Sequence, residues 1–123
     1  MPSRKKLLLV DDDEAVIEYL NVKLGAEFEL MATGLPDRVL PLALDARPDL
    51  VLCDIDLPGM DGGDVSAALF GNPGTHGIPL VFLTALISPR ELQSRGNQLA
   101  GRSAISKQSP IEEIVARIRA ALG

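Results

Sequence analysis

A single cysteine, Cys53, leaves this chain no partner for an internal disulfide, which fits a reducing compartment. The residue itself reads as a small buried apolar side chain rather than a reactive thiol. A single histidine, His76, stands between Thr75 and Gly77, where it reads as an exposed loop residue, and no second histidine supports it as a catalytic partner. Long apolar runs are missing too, and none approaches the ~20 residues of a membrane span. The start resembles a signal peptide only briefly, because Arg4-Lys5-Lys6 is followed by just Leu7 to Val10 before the acids begin. There is no excess of positive charge: the net charge is −5, and an acidic domain has no general affinity for nucleic acid. Together these absences predict a cytoplasmic protein that neither inserts into a membrane nor contacts nucleic acid directly.

What is present is enough for one packed core. The 123 residues are 46% apolar and contain no repeat, low-complexity tract or linker, so residues 1–123 read as one domain. The end at Leu122-Gly123 suits either a stand-alone protein or one part of a longer chain. Charge is uneven: residues 1–64 hold six basic against fourteen acidic side chains, a balance of −8, and residues 94–123 hold five against two, a balance of +3. An acidic pocket in the first half accounts for this split.

Strand and helix signals alternate along the chain. Apolar runs over 7–10, 28–32, 49–54 and 78–84 read as strands, and 103–106 as a shorter, weaker one. Val16, Ile17, Leu20 and Leu24 recur at helical spacing, with Gly25 as the stop. A helix follows Pro36, with Pro41 set to kink it or delay its start. Leu57 to Gly62 is loop chemistry, Asp61-Gly62 reads as a turn, and 64–70 is helical. Ser88 and Pro89 open another helix as N-cap and first helical residue, and Gly96-Asn97 ends it. Ser109-Pro110-Ile111-Glu112 reads as a capping box before a last helix striped by Ile111, Ile114, Val115, Ile118 and Leu122. Five strands alternating with five helices imply right-handed crossovers and a doubly wound α/β sheet.

Five acids end two of the apolar runs. Leu7 to Val10 leads into Asp11-Asp12-Asp13, and Leu50 to Cys53 into Asp54-Ile55-Asp56. Runs of this kind are buried on both faces in parallel sheets, and open α/β sheets bind ligands beyond the strands' carboxyl ends. Carboxylates converging there repel one another unless a cation joins them, and an all-oxygen cluster suits a hard ion such as Mg²⁺. Taken singly, each residue has a plainer use. Asp11 to Asp13 could cap the following helix, Thr84 could be an ordinary β-branched strand residue, and Lys107 a solvated surface charge.

Leu8-Leu9-Val10-Asp11-Asp12-Asp13, Asp54-Ile55-Asp56-Leu57-Pro58-Gly59-Met60-Asp61-Gly62, Phe82-Leu83-Thr84-Ala85 and Ile105-Ser106-Lys107 occur in the order, and near the spacing, of one family. Over nearly its whole length the chain resembles the CheY-like response-regulator receiver domain of two-component signalling. The resemblance implies a flavodoxin-like (βα)5 three-layer sandwich with a parallel five-stranded sheet in the order 2-1-3-4-5. It further implies Asp54 as phosphoacceptor, Asp12 as a direct Mg²⁺ ligand, Asp11 acting through the ion's water, and the Asp56 backbone carbonyl as the remaining protein ligand. Thr84 and Lys107 would each meet a phosphoryl oxygen. The partners implied are a sensor histidine kinase or histidine phosphotransfer protein and a downstream protein target. No catalysis is implied beyond self-phosphorylation and slow autodephosphorylation.

Three positions depart from the family pattern. Gln108 follows the lysine where proline is usual, so an ordinary trans bond and a different loop are expected. Ala104 stands where an aromatic switch residue is common. The segment from Thr84 to Lys107 is about one residue longer, with Gly96, Asn97 and Gly101 inside it, and the loop between Gly96 and Gly101 is the candidate read-out segment because Gly-rich backbone absorbs dihedral change at low steric cost. Two other readings remain: a pseudo-receiver that binds partners without phosphorylation, and a haloacid-dehalogenase-type phosphohydrolase. Asp54-Ile55-Asp56 fits the latter's motif. However, Leu57-Pro58-Gly59 does not continue it, the Asp11-Asp12 pair is unexplained, and the chain is short.

Overall fold

The computed structural model of this chain describes residues 4–57, 59 and 62–123. Pro58, Met60 and Asp61 lie outside them, so the turn expected at Asp61 does too. The elements are β1 (Lys6–Val10), α1 (Glu14–Leu24), β2 (Glu29–Thr33), a 3₁₀ turn (Pro36–Arg38), α2 (Val39–Ala46), β3 (Leu50–Asp54), α3 (Gly62–Phe70), β4 (Leu80–Thr84), α4 (Pro89–Ser94), β5 (Gln98–Leu99), β6 (Arg102–Ser106) and α5 (Ile111–Leu122). The sheet order is β2-β1-β3-β4-β6-β5. Its first five strands are parallel and match the expected 2-1-3-4-5 arrangement, with β6 as the fifth.

Period-2 alternation divides the core into two layers. Leu8, Val10, Val51, Cys53, Leu80 and Phe82 face one side with Val39, Ala43, Val65 and Leu69 of α2 and α3. Leu7, Leu9, Leu50, Leu52, Val81, Leu83 and Ile105 face the other with Leu20, Leu24, Ile114 and Ile118 of α1 and α5. Strands β3 and β4 are buried at every position, as continuous apolar runs in a sheet covered on both faces should be. No helix among the described residues is long and apolar enough to cross a membrane.

Several local details follow from single residues. Pro41 delays α2 rather than kinking it: the α-helix begins at Val39 after the 3₁₀ turn, so Pro41 falls in the first turn, where its missing N–H has no intrahelical partner to lose. Gly25 ends α1 in right-handed geometry, and what it supplies is room, since a Cβ there would lie 2.6 Å from the Asn21 carbonyl oxygen. The capping box expected at Ser109 is absent. Pro110 itself occupies the cap of α5, with φ −57° and ψ 147°, and its carbonyl accepts from the Glu113 and Ile114 amides at 3.0 and 3.1 Å. Its extended ψ keeps the helix from starting before Ile111.

The largest departure is β5, a strand the sequence pattern does not announce. Helix α4 is capped by Ser88 as expected, stops at Ser94, and passes through Gly96 and Asn97 at φ 70° and 56°. The chain then forms a tight hairpin, with Leu99 paired to Arg102 across Ala100 (φ 50°) and Gly101 (φ 76°). Two consecutive positive φ angles are the requirement of the two-residue turn whose twist matches antiparallel strands. Asn or Gly meets that requirement at little cost, and alanine does not. Ala100→Asn or Ala100→Gly should therefore stabilise the chain by about 0.5–1 kcal/mol, seen as a higher urea midpoint with unchanged slope. A lowered midpoint in both variants would contradict this account of the turn.

Candidate functional site

The register of β1 on β3 brings the two acidic strand ends together. Val10 pairs with Cys53, so Asp11 and Asp54 are the next residues on neighbouring strands. Asp11 is 2% exposed and Asp54 8%. Asp12 is exposed above them, and a carboxylate oxygen from each of Asp11, Asp12 and Asp54 lies within 4.8 Å of the others. Asp13, the last of the run, takes the capping role: its carboxylate accepts from the Ala15 amide at 3.0 Å and starts α1. Asp11 braces this turn by accepting from the Asp13 amide at 2.9 Å.

Lys107 reaches the pair from the far side of β4. It follows β6 directly, and its ammonium lies 2.5 Å from Asp11 Oδ2 and 3.4 Å from Asp54 Oδ2. The Lys107 amide donates to the Thr84 carbonyl at 2.7 Å, which fixes where the side chain departs. Burial alone would lower the lysine's pKa. The Asp11 hydrogen bond and the charges of Asp11 and Asp54 outweigh it, so the group is held above its ordinary value. Asp54 is raised, chiefly by burial and further by Asp11, against the Asp56 amide and Lys107, which both favour its ionised form. Cys53 is fully buried and its thiol is pushed up to about 12 by burial, then by Asp54 and Asp11, so it is inert as a nucleophile.

The other expected site residues fall around this pair. Asp56 is exposed, and its amide donates to Asp54 Oδ1 at 3.1 Å, leaving Asp54 accepting on one oxygen and facing Lys107 with the other. Thr84 ends β4, is buried, and its Oγ1 accepts from the Leu86 amide at 3.2 Å. An open cleft of about 460 Å³ is lined by the acids and Lys107 together with Ala85 and Leu86. An all-carboxylate oxygen set of this kind fits a hard divalent cation and no soft one. His76 lies apart in an exposed loop, its ring against Phe70 and its Nδ1 3.0 Å from the Phe70 carbonyl oxygen.

Two residues matter more than their sequence context suggests. Gly62 reads as half of a turn, yet it opens α3 and donates to the Ile55 carbonyl at 2.8 Å. A Cβ there would stand 2.8 Å from Ile55 Cα and from Phe82 Cε1, so only glycine lets α3 close against the backbone beneath Asp54. Gln108 replaces the family's proline. The Lys107–Gln108 bond is trans, and the Gln108 side-chain amide donates to the Ala85 carbonyl at 3.0 Å. The signal for this was a side chain with an amide donor where proline offers none, although its target could not be read from sequence.

Comparison with known proteins matches this picture. Residues 7–119 match the response regulator receiver domain family. Response regulator PleD of Caulobacter vibrioides is 36% identical over 121 residues, covering 93% of this chain and 25% of PleD. DNA-binding response regulator MtrA of Mycobacterium tuberculosis is 37% identical over 120 residues, covering 97% of this chain and 51% of MtrA. The chain thus spans between a quarter and half of these relatives. A putative response regulator from Chloroflexus aurantiacus superposes with a TM-score of 0.82 at 30% identity, covering 98% of each chain. The chemotaxis protein CheY4 of Vibrio cholerae shares the fold, with a TM-score of 0.81 at 21% identity and coverage of 97% of this chain and 99% of CheY4. With its parallel sheet, its acidic strand ends and its lysine at the last of them, the chain belongs to the response-regulator receiver-domain family.

Proposed function

We propose that this receiver domain accepts a phosphoryl group on Asp54 from a phosphohistidine of a sensor histidine kinase or histidine phosphotransfer protein, and that the modified domain changes its binding to a downstream protein. The observation that carries this reading is the Lys107 ammonium held between the buried Asp11 and Asp54 carboxylates at the carboxyl edge of the sheet. A carboxylate is a competent phosphoryl acceptor. One Asp54 oxygen forms a bond to phosphorus as the phosphorus–nitrogen bond breaks, and the electron pair leaves with the imidazole. Little covalent work falls to the protein, so positioning and charge neutralisation do most of it.

Each neighbour has a part in that step. The Asp56 amide orients Asp54 through Oδ1. Lys107 offsets charge on the incoming group as a point cation on a flexible stem. The Thr84 hydroxyl can meet a phosphoryl oxygen only once the group has arrived, which makes it a reporter of the modification. Asp12 and Asp54, with the Asp56 carbonyl, would hold Mg²⁺, and Asp11 would act through the ion's water. When bound, the ion would supply charge neutralisation for the transfer. The acidic balance of the chain favours a protein as its downstream partner over nucleic acid. The chemistry stops at self-phosphorylation and slow loss of the group.

Incubation with a small phosphodonor and Mg²⁺ should add the mass of one phosphoryl group to the wild-type chain and none to Asp54→Asn. Equal labelling of that variant would remove Asp54 from the role. Absence of labelling in the wild type would leave the phosphorylation-independent module as the better reading.

The crowding of charge supplies a second test. Asp11, Asp12 and Asp54 crowd together while, among the described residues, Lys107 pairs with only Asp11 and Asp54, so the metal-free chain carries repulsion that Asp54→Asn relieves. At neutral pH without Mg²⁺ the variant should melt above the wild type, and millimolar Mg²⁺ should raise the wild-type melting temperature more than the variant's. A wild-type melting temperature indifferent to Mg²⁺ would count against the metal site.

A further inference from the structure

Thr84 and Gln108 hold opposite ends of one peptide unit. The Leu86 amide donates to Thr84 Oγ1 at 3.2 Å, and the carbonyl of the same peptide, that of Ala85, accepts from Gln108 Nε2 at 3.0 Å. In a trans peptide the N–H and C=O point in opposite directions. A grip on the oxygen therefore fixes where the N–H points. The Leu86 side chain is 77% exposed, so packing does little to hold this peptide. Gln108 is itself well anchored, because its own amide donates to Ser106 Oγ at 3.1 Å and the preceding Lys107 amide is bonded to the Thr84 carbonyl. The loop after β6 thus grips the loop after β4 through a side chain that proline could not supply.

We propose that Gln108 is a positioning residue for Thr84: by holding the Ala85–Leu86 peptide, it keeps the Thr84 hydroxyl engaged with the Leu86 amide and so opposes its swing towards a phosphoryl group on Asp54. This rests on the reading of Asp54 as phosphoacceptor. A hydroxyl that swings to a phosphoryl oxygen leaves the Leu86 N–H behind, and that peptide must then turn or go unpaired. Gln108 raises the cost of the turn by adding a second bond that must break with the first. It therefore favours the unmodified arrangement, and its removal favours the modified one. The same lysine loop then senses the phosphoryl group through Lys107 and restrains the response through the next residue.

Two variants separate the donor from simple packing. Gln108→Ala removes the side chain, and Gln108→Glu keeps its length but removes the N–H donor. In the unmodified chain, exchange of the Leu86 amide should speed up by roughly two- to ten-fold in both, the factor carried by a single hydrogen bond. At limiting phosphodonor with Mg²⁺, both variants should also reach a higher modified fraction than the wild type. A residue with only a structural role would lower the melting temperature and leave the Leu86 exchange and the modified fraction unchanged or reduced, and that result would overturn the proposal. If the wild type accepts no phosphoryl group, the reading of Asp54 fails, and the Leu86 exchange rate still decides for or against the grip of Gln108.

Discussion

One lysine ammonium shared by two buried carboxylates is the interaction on which this fold's working edge depends. Asp11 and Asp54 stand next to each other because their strands are paired in register, and in a poorly solvated site two like charges at that spacing repel each other strongly. Lys107 removes that conflict from beyond β4, two strands from Asp54 and three from Asp11. Neighbouring strands are about 4.8 Å apart, so only a long, flexible basic side chain spans the gap. The pairing of β6 with β4, the trans bond at Gln108 and the delayed start of α5 all serve to place the root of that side chain.

The same arrangement leaves the edge short of positive charge. Asp12 joins the pair within reach of a common ion, and among the described residues Lys107 is the one cation ion-paired with Asp11 and Asp54. Structure beneath the site is correspondingly tight. Gly62 lets α3 press against the Ile55 backbone, and Gly34 sits with its Cα hydrogens facing the Asp11 and Asp12 main chain, where a Cβ would come within 3.1 Å of the Asp11 oxygen. Close backbone packing of this kind fixes the carboxylates from below and leaves adjustment to the loops above.

Much of this was legible because the sheet is parallel and buried. Continuous apolar runs end abruptly in acids, and a parallel arrangement sends all those ends to one edge, so Asp11, Asp12, Asp54, Thr84 and Lys107 could be grouped from spacing and family resemblance together. What stayed hidden depends on short-range geometry or on partners distant in sequence. Gln98-Leu99 is too short to show an alternating pattern, so β5 was invisible, although Gly96, Asn97 and Gly101 marked the segment as unusual. Pro110 could have stood at the first helical position or at the cap, and only its ψ decides between them. The Gln108 bond to Ala85 crosses between two loops, and nothing in either segment names the other.

The hairpin of β5 and β6 has a consequence beyond its place in the chain. A parallel sheet that stopped at β6 would present that strand's amides and carbonyls as a template for another chain. Instead Gln98 and Leu99 cover Ser103 and Arg102, and the Ala104 amide is bonded to the Asn97 carbonyl. The border that remains is only two residues long, flanked by positive-φ positions at Asn97 and Ala100 that bend the backbone out of line. So brief and crooked a margin offers an incoming strand almost nothing to zip against, which guards this side of the molecule from edge-to-edge aggregation.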